Sequence, residues 1–118
     1  MDTRLMGQRG EDAACAWLEA RGYRVVMRNW RCAEGEIDIV ARQGTWWVLV
    51  EVRARRGTPD AALESVGPNK RRQLQKAAYL FVDQFGLHAD AWRIDVIGVG
   101  VGRAGALEIA HVEDALGW

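Results

Sequence analysis

Cysteine is scarce in this 118-residue chain: Cys15 and Cys32 stand alone, in no CxxC pattern. His88 and His111 lie too far from them in sequence to suggest a zinc knuckle. Both thiols are therefore read as reduced, as in a cytosolic protein. Excess charge is missing too, since 16 basic residues balance 16 acidic ones and the pI is about 6.7. A protein living by general attraction to polyanions would show a basic balance, so any nucleic-acid contact must rest on a local patch. Long apolar runs are absent: 46–50 and 77–82 are far too short to span a bilayer. The start, Met1-Asp2-Thr3-Arg4, lacks the apolar core of a signal peptide, which makes a cytoplasmic location the expectation. Internal repeats and low-complexity segments are also lacking.

What is present is ordinary globular composition, 49% hydrophobic and 27% charged with six tryptophans. The length suits one domain with a core that needs no disulfide or structural metal, and residues 1–118 are read as that single unit. Ala13, Ala14, Trp17 and Leu18 recur at helical spacing over 7–21, with Gly22 placed to end the helix. A strand is predicted over 23–28, followed by a turn through Ala33, Glu34 and Gly35. Two further strands, 36–42 and 46–53, flank Gln43-Gly44-Thr45, where Gly44 can supply the positive φ of a tight hairpin. The second of these is apolar on both faces and belongs in the middle of a sheet.

Apolar periodicity lapses over about 54–68 while Gly57, Thr58, Pro59, Asp60, Gly67 and Pro68 accumulate, so a loop is expected there. Leu74, Ala77, Ala78, Phe81, Val82 and Phe85 mark a second amphipathic helix over 69–84. Strands follow at 92–101 and 107–111. The predicted order is helix, three strands, helix, two strands: an α/β domain with a mixed central sheet flanked by helices. Trp17, Trp46 and Trp92 are assigned to the core rather than to base stacking.

The hairpin brings chemistry. A loop of Gln43-Gly44 sets Asp38 diagonal to Glu51, and a loop of Gly44-Thr45 sets them directly opposite. Either even-length loop keeps both carboxylates on one side of the sheet, roughly 5–8 Å apart at the backbone, within reach of a shared cation. Arg53, two residues from Glu51, shares that side. Two carboxylates among apolar neighbours need a positive partner, and a hard ion such as Mg²⁺ or Mn²⁺ fills that role. The plainer alternative is a surface ion pair of Glu51 with Arg53 at a strand end, Asp38 being merely solvated.

Several runs carry a resemblance: Gly10-Glu11-Asp12, Asn29-Trp30-Arg31-Cys32, Gly35-Glu36-Ile37-Asp38-Ile39-Val40, and Val50-Glu51-Val52-Arg53-Ala54-Arg55. Pro68-Asn69-Lys70-Arg71-Arg72 and Arg93-Ile94-Asp95-Val96 extend it over nearly the whole chain. The sequence resembles the YraN family of small bacterial proteins of uncharacterised function, itself similar to the restriction-endonuclease-like fold and the archaeal Holliday-junction resolvases. The resemblance implies a PD-(D/E)xK-type nuclease core with Asp38 and Glu51 as metal ligands and Glu11 reaching the same site. It implies metal-dependent cleavage of structured or branched DNA, in the setting of repair or recombination, by a protein that pairs as a homodimer. On its own sequence, Glu11 reads equally as a solvated acid near a helix start.

One departure is plain. The nuclease pattern has lysine two residues after the glutamate, and this chain has Arg53. Arginine stays charged and cannot act as a general base, although it can stabilise a pentavalent phosphate. A catalytically inactive nucleic-acid-binding module of the same fold is therefore the alternative. Lys70 is a candidate substitute cation. Between Val50 and Lys76 seven positive residues (Arg53, Arg55, Arg56, Lys70, Arg71, Arg72, Lys76) face three acids (Glu51, Asp60, Glu64), a local net of +4. Lys70, Arg71 and Arg72 oppose the dipole of the helix they begin, which suits contact with external phosphates, or else a solvated helix face.

Overall fold

The computed structural model describes residues 2–116. Helix α1, Thr3–Ala20, starts earlier than periodicity suggests because the Asp2 carboxylate accepts the Leu5 amide at 2.7 Å and caps it. Strands β1 (Arg24–Cys32), β2 (Gly35–Gln43) and β3 (Trp46–Arg56) follow as an antiparallel meander. After two helices, α2 (Pro59–Glu64) and α3 (Pro68–Gln84), the chain re-enters the sheet as β4 (Trp92–Val101), parallel to β3. A single 3-10 turn, Arg103–Gly105, leads to β5 (Leu107–Val112), antiparallel to β4. The result is one five-stranded mixed sheet with spatial order β1-β2-β3-β4-β5.

The expected order changes at one place. Residues 54–68 are not a loop: β3 runs on to Arg56, and Pro59–Glu64 is helical. The element order is therefore helix, three strands, two helices, two strands. Six residues are too few to show periodicity, but the start signal is conventional. Thr58 accepts the Ala61 amide through Oγ1 at 3.1 Å and Pro59 occupies the first turn. α2 rests on β4 at Gly98, where an added Cβ would come within 2.5 Å of the Pro59 carbonyl.

The sheet is covered on both faces. α1 packs Ala14, Cys15 and Leu18 over Ile39, Ala41, Val48, Val50, Ile97 and Val99. α3 packs Ala77, Ala78, Phe81 and Val82 over Val40, Leu49 and Ile94 on the other face. Trp30 meets Phe81 edge-on at 5.2 Å, a geometry worth about 1 kcal/mol beyond burial. Trp46 departs from expectation: it is 41% exposed, at the tip where β3 begins, whereas Trp17 and Trp92 are half-buried against the core. Cys15, buried, and Cys32, half-buried, are free thiols. No helix among the described residues is long and apolar enough to cross a membrane.

β4 is buried on both faces from Arg93 onward, so its two charged residues need partners within the protein. Asp95 is fully buried. Its Oδ1 accepts from Arg93 Nε and from the Asp114 amide, both at 2.9 Å, and its Oδ2 lies 2.8 Å from His111 Nε2. Arg93 also donates to the Tyr23 hydroxyl and to Gln43 Oε1. One carboxylate thereby ties β4, β5, the β2–β3 turn and the segment before β1 together.

Candidate active site

Gln43 pairs with Trp46, which fixes the hairpin loop as Gly44-Thr45, with Gly44 at φ 58°. The β2–β3 ladder runs from there to Ile39 opposite Val50, and the next positions are Asp38 and Glu51. Both carboxylates are buried, on the face that α3 covers. Beyond Ile39 the ladder stops, and the Val52 amide donates instead to Asp38 Oδ2 at 2.8 Å. Asp38 thus sits where the two strands part.

Burial, followed by the charge of Glu51 and a hydrogen bond to it, pushes the Asp38 carboxyl up to about 9; the Val52 amide and Glu11 modify this less. At neutral pH Asp38 therefore keeps its proton. A pair too close to ionise fully is one that a cation would relax. Glu51 Oε2 is buried and makes no directed hydrogen bond. Lys70, in the first turn of α3, places Nζ 3.3 Å from that atom, close enough for an ion pair but off the hydrogen-bonding direction.

The other predicted site residues are distributed as follows. Arg53 shares the α3 face with Glu51 but donates to the Ser65 carbonyl at the end of α2, and its Nε is buried without a partner. Glu11 is near enough to raise Asp38, yet its Oε1 accepts from Arg28 Nε and Asn29 Nδ2, each at 3.0 Å. Asn29 reaches it from a left-handed backbone, φ 55°. Arg55 donates to the Ala54 carbonyl, Arg71 to the Val66 carbonyl, and Arg72 to Asn69 Oδ1. Arg55, Arg56, Arg71 and Arg72 are all exposed.

Two carboxylates, one with a buried oxygen that makes no hydrogen bond and has only the Lys70 ammonium beside it, fit a small divalent cation, which commonly takes one or two carboxylates and completes its shell with water and phosphate. No group of three His, Cys, Asp or Glu side chains among the described residues is arranged to hold a metal, so Glu11 does not complete a ligand trio. The proximity of Lys70 to Glu51 could not be read from one sequence, because it depends on how α3 lies across the sheet. A spare cation in the first turn of that helix was its only signal.

The model of a family described as "Uncharacterised protein family UPF0102" matches residues 10–99, a stretch that includes Asp38, Glu51 and Lys70. A UPF0102 protein of Roseiflexus castenholzii is 47% identical over 117 residues, covering 97% of this chain and 94% of the relative. One from Chloroflexus aurantiacus is 43% identical over 115 residues with the same coverage. One from Geobacter sulfurreducens is 42% identical over 116 residues, covering 95% and 88%. Among solved structures, Pyrococcus furiosus SfsA in complex with Ca²⁺ superposes with a TM-score of 0.37 at 16% identity. That match covers 95% of this chain but 64% of SfsA, so the chain spans less than two thirds of that protein.

Proposed function

This chain belongs to the uncharacterised protein family UPF0102, the family of the YraN proteins, and from that premise we propose a nuclease-like, divalent-metal-dependent protein with a restriction-endonuclease-like core. Its reaction is hydrolysis of phosphodiester bonds in structured or branched DNA. The observation that carries the reading is the buried Asp38 and Glu51 pair, one member holding a proton far above its ordinary range and the other presenting an oxygen with no directed partner.

Asp38 and Glu51 are the ligands for Mg²⁺ or Mn²⁺, which when bound would polarise the phosphodiester and lower the pKa of an attacking water. To hold such an ion Asp38 would have to lose its proton, and the Val52 amide, which donates to Oδ2, would steady the carboxylate. Lys70 brings a compact ammonium to the position that Arg53 leaves vacant by turning to Ser65. Its charge stabilises the additional negative charge on the phosphate oxygens in the transition state. Arg53, permanently charged, takes no part in proton transfer and contributes electrostatically from its half-buried place. Arg55, Arg71 and Arg72 supply backbone phosphate contacts.

The test is nicking of junction and flap DNA by the purified protein with Mg²⁺ or Mn²⁺. Wild type cleaves and Asp38→Asn does not; undiminished cleavage by that variant refutes the site. A second reading, a non-catalytic nucleic-acid-binding module, is favoured by one observation: Glu11 is committed to Arg28 and Asn29, leaving two carboxylates. It requires salt-sensitive binding without cleavage, and calorimetry of metal binding to wild type and Glu51→Gln separates a working site from a relic.

A further inference from the structure

Residues two apart in a strand share a face of the sheet. Around Asn29 in β1 they do not: Arg28 reaches Glu11 and Asp12 of α1, whereas Trp30 meets Phe81 of α3. β2 divides in the same way around Asp38, with Ile39 packed on the α1 side and Ile37 on the α3 side. The pairs Arg28 with Ile39 and Trp30 with Ile37 keep one register, so Asn29 and Asp38 lie opposite each other. Both strands turn over together at that step.

The backbone that allows this belongs to Asn29. Among the described residues three that are not glycine have a positive φ: Ala104 and Asp114 lie in turns, and Asn29, at 55°, lies inside a strand. Asparagine enters the left-handed region more readily than most side chains, and a β-branched residue is nearly excluded from it. Such a residue persists where its surroundings hold it, commonly at functional sites, and a local break in a ladder re-aims a side chain. Here Asn29 Nδ2 donates to Glu11 Oε1 at 3.0 Å, which pins the residue to α1.

The consequence falls on Asp38. The β2–β3 ladder ends at Ile39 opposite Val50, and the Val52 amide beyond it donates to Asp38 Oδ2 at 2.8 Å. Were β1 and β2 to alternate evenly through this step, either Ile37 would leave the apolar cluster beneath α3 or Ile39 the one beneath α1. Turning over keeps both, and it sets the pivot at the carboxylate.

We propose that Asn29 is a positioning residue for Asp38: its left-handed backbone turns the β1–β2 pair over at the step where Asp38 meets Glu51 and the Val52 amide. That Asp38 then serves a metal ion rests on the divalent-metal reading above; the positioning does not. The test is hydrogen exchange at the Val52 amide, followed by NMR without metal. The Leu87 amide, bonded to the Val82 carbonyl at 2.8 Å past the end of α3, is the internal reference. Asp38→Ala sets the rate expected when the Val52 bond is gone. Asn29→Gly and Asn29→Val both remove the amide side chain, but glycine accepts the left-handed backbone and valine does not. In Asn29→Val the Val52 amide exchanges about tenfold faster than in wild type, approaching the Asp38→Ala rate, while Leu87 is unchanged and Asn29→Gly stays within about twofold of wild type. Asn29→Ala moves the same way by less, and takes the place of the valine variant if that protein does not fold. Equal acceleration in the glycine and valine variants assigns the effect to the lost Glu11 contact, equal acceleration at Leu87 assigns it to general stability, and no acceleration leaves Asn29 without influence; each overturns the proposal. Calorimetry with Mn²⁺ separates the two readings. Affinity about tenfold weaker in Asn29→Val and kept in Asn29→Gly carries the role to the ion. A wild type that binds no Mn²⁺ while the exchange pattern holds refutes the metal reading and leaves the positioning of Asp38 standing.

Discussion

Asp38 holds its proton up to about pH 9 because burial and the neighbouring Glu51 both oppose a second charge. A divalent ion must displace that proton, so binding at pH 7.5 releases about one proton per ion and tightens as pH rises toward 9. Calorimetry in two buffers of different ionisation enthalpy measures this directly; zero release would mean that the ion binds elsewhere. The same group acts on stability. Its folded pKa exceeds the unfolded value, so the folded state binds the extra proton and stability falls as pH rises between about 4 and 9. Asp38→Asn removes that dependence and raises stability at pH 8 by on the order of 1 kcal/mol, while abolishing metal binding. At Lys70 the expectation is kinetic. Lys70→Met lowers cleavage by about 10² to 10³, the usual cost of removing one preorganised charge from a transition state. Arg53→Lys changes it far less, because position 53 faces Ser65. A larger loss at 53 than at 70 would return the lysine role to the strand. The carboxylate pair was legible because strand alternation and an even loop fix its side. The Lys70 contact was not, since it depends on how a helix lies across a sheet.

At the scale of elements, the same difference between local and tertiary signals decides what the sequence discloses. β4 keeps its predicted bounds, Trp92 to Val101, because a ten-residue stretch of alternating and β-branched residues between turns has few alternative placements. α2 was hidden because it has one turn and a half and a single buried residue, Ala62, with its packing supplied by glycine on another strand. Thr58-Pro59-Asp60 was the available signal, and its weight is measurable: Thr58→Ala costs about 1 kcal/mol in urea unfolding. Gly10 argues the converse. It lies inside α1, where glycine is a poor helix former, and an added Cβ would stand 2.8 Å from the Ala54 Cβ. Better helix propensity therefore loses to overpacking, and Gly10→Ala destabilises by about 1–3 kcal/mol. A stabilised Gly10→Ala protein would show that α1 can lift from β3 without penalty.

For the whole molecule, balanced total charge conceals segregation: a segment with net +4 carries the site's cations on one face of the sheet, and the buried network around Asp95, one register step from Glu51, lies on the other. Burial alone would raise the Asp95 carboxyl. The hydrogen bonds from His111, Arg93 and the Asp114 amide together outweigh it and hold the group below its ordinary value. A depressed folded pKa contributes stability that is present above the unfolded pKa, near 4, and lost as pH falls through the folded one. Asp95 therefore removes stability on the acid side and Asp38 removes it on the alkaline side. Acting together, these two carboxyls place the maximum of the stability curve near pH 4 to 5, below the pI of about 6.7. Urea unfolding from pH 2 to 9 traces that curve. Asp95→Asn leaves Arg93 buried beside a neutral group, costs about 3–5 kcal/mol at pH 7, and flattens the acid limb while leaving the alkaline decline intact. Asp38→Asn does the reverse, and because the two groups act in separate pH windows the double variant should lose both slopes additively. A single variant that altered both limbs would mean that charge couples through the sheet from one face to the other, and the independence of site and scaffold would be lost.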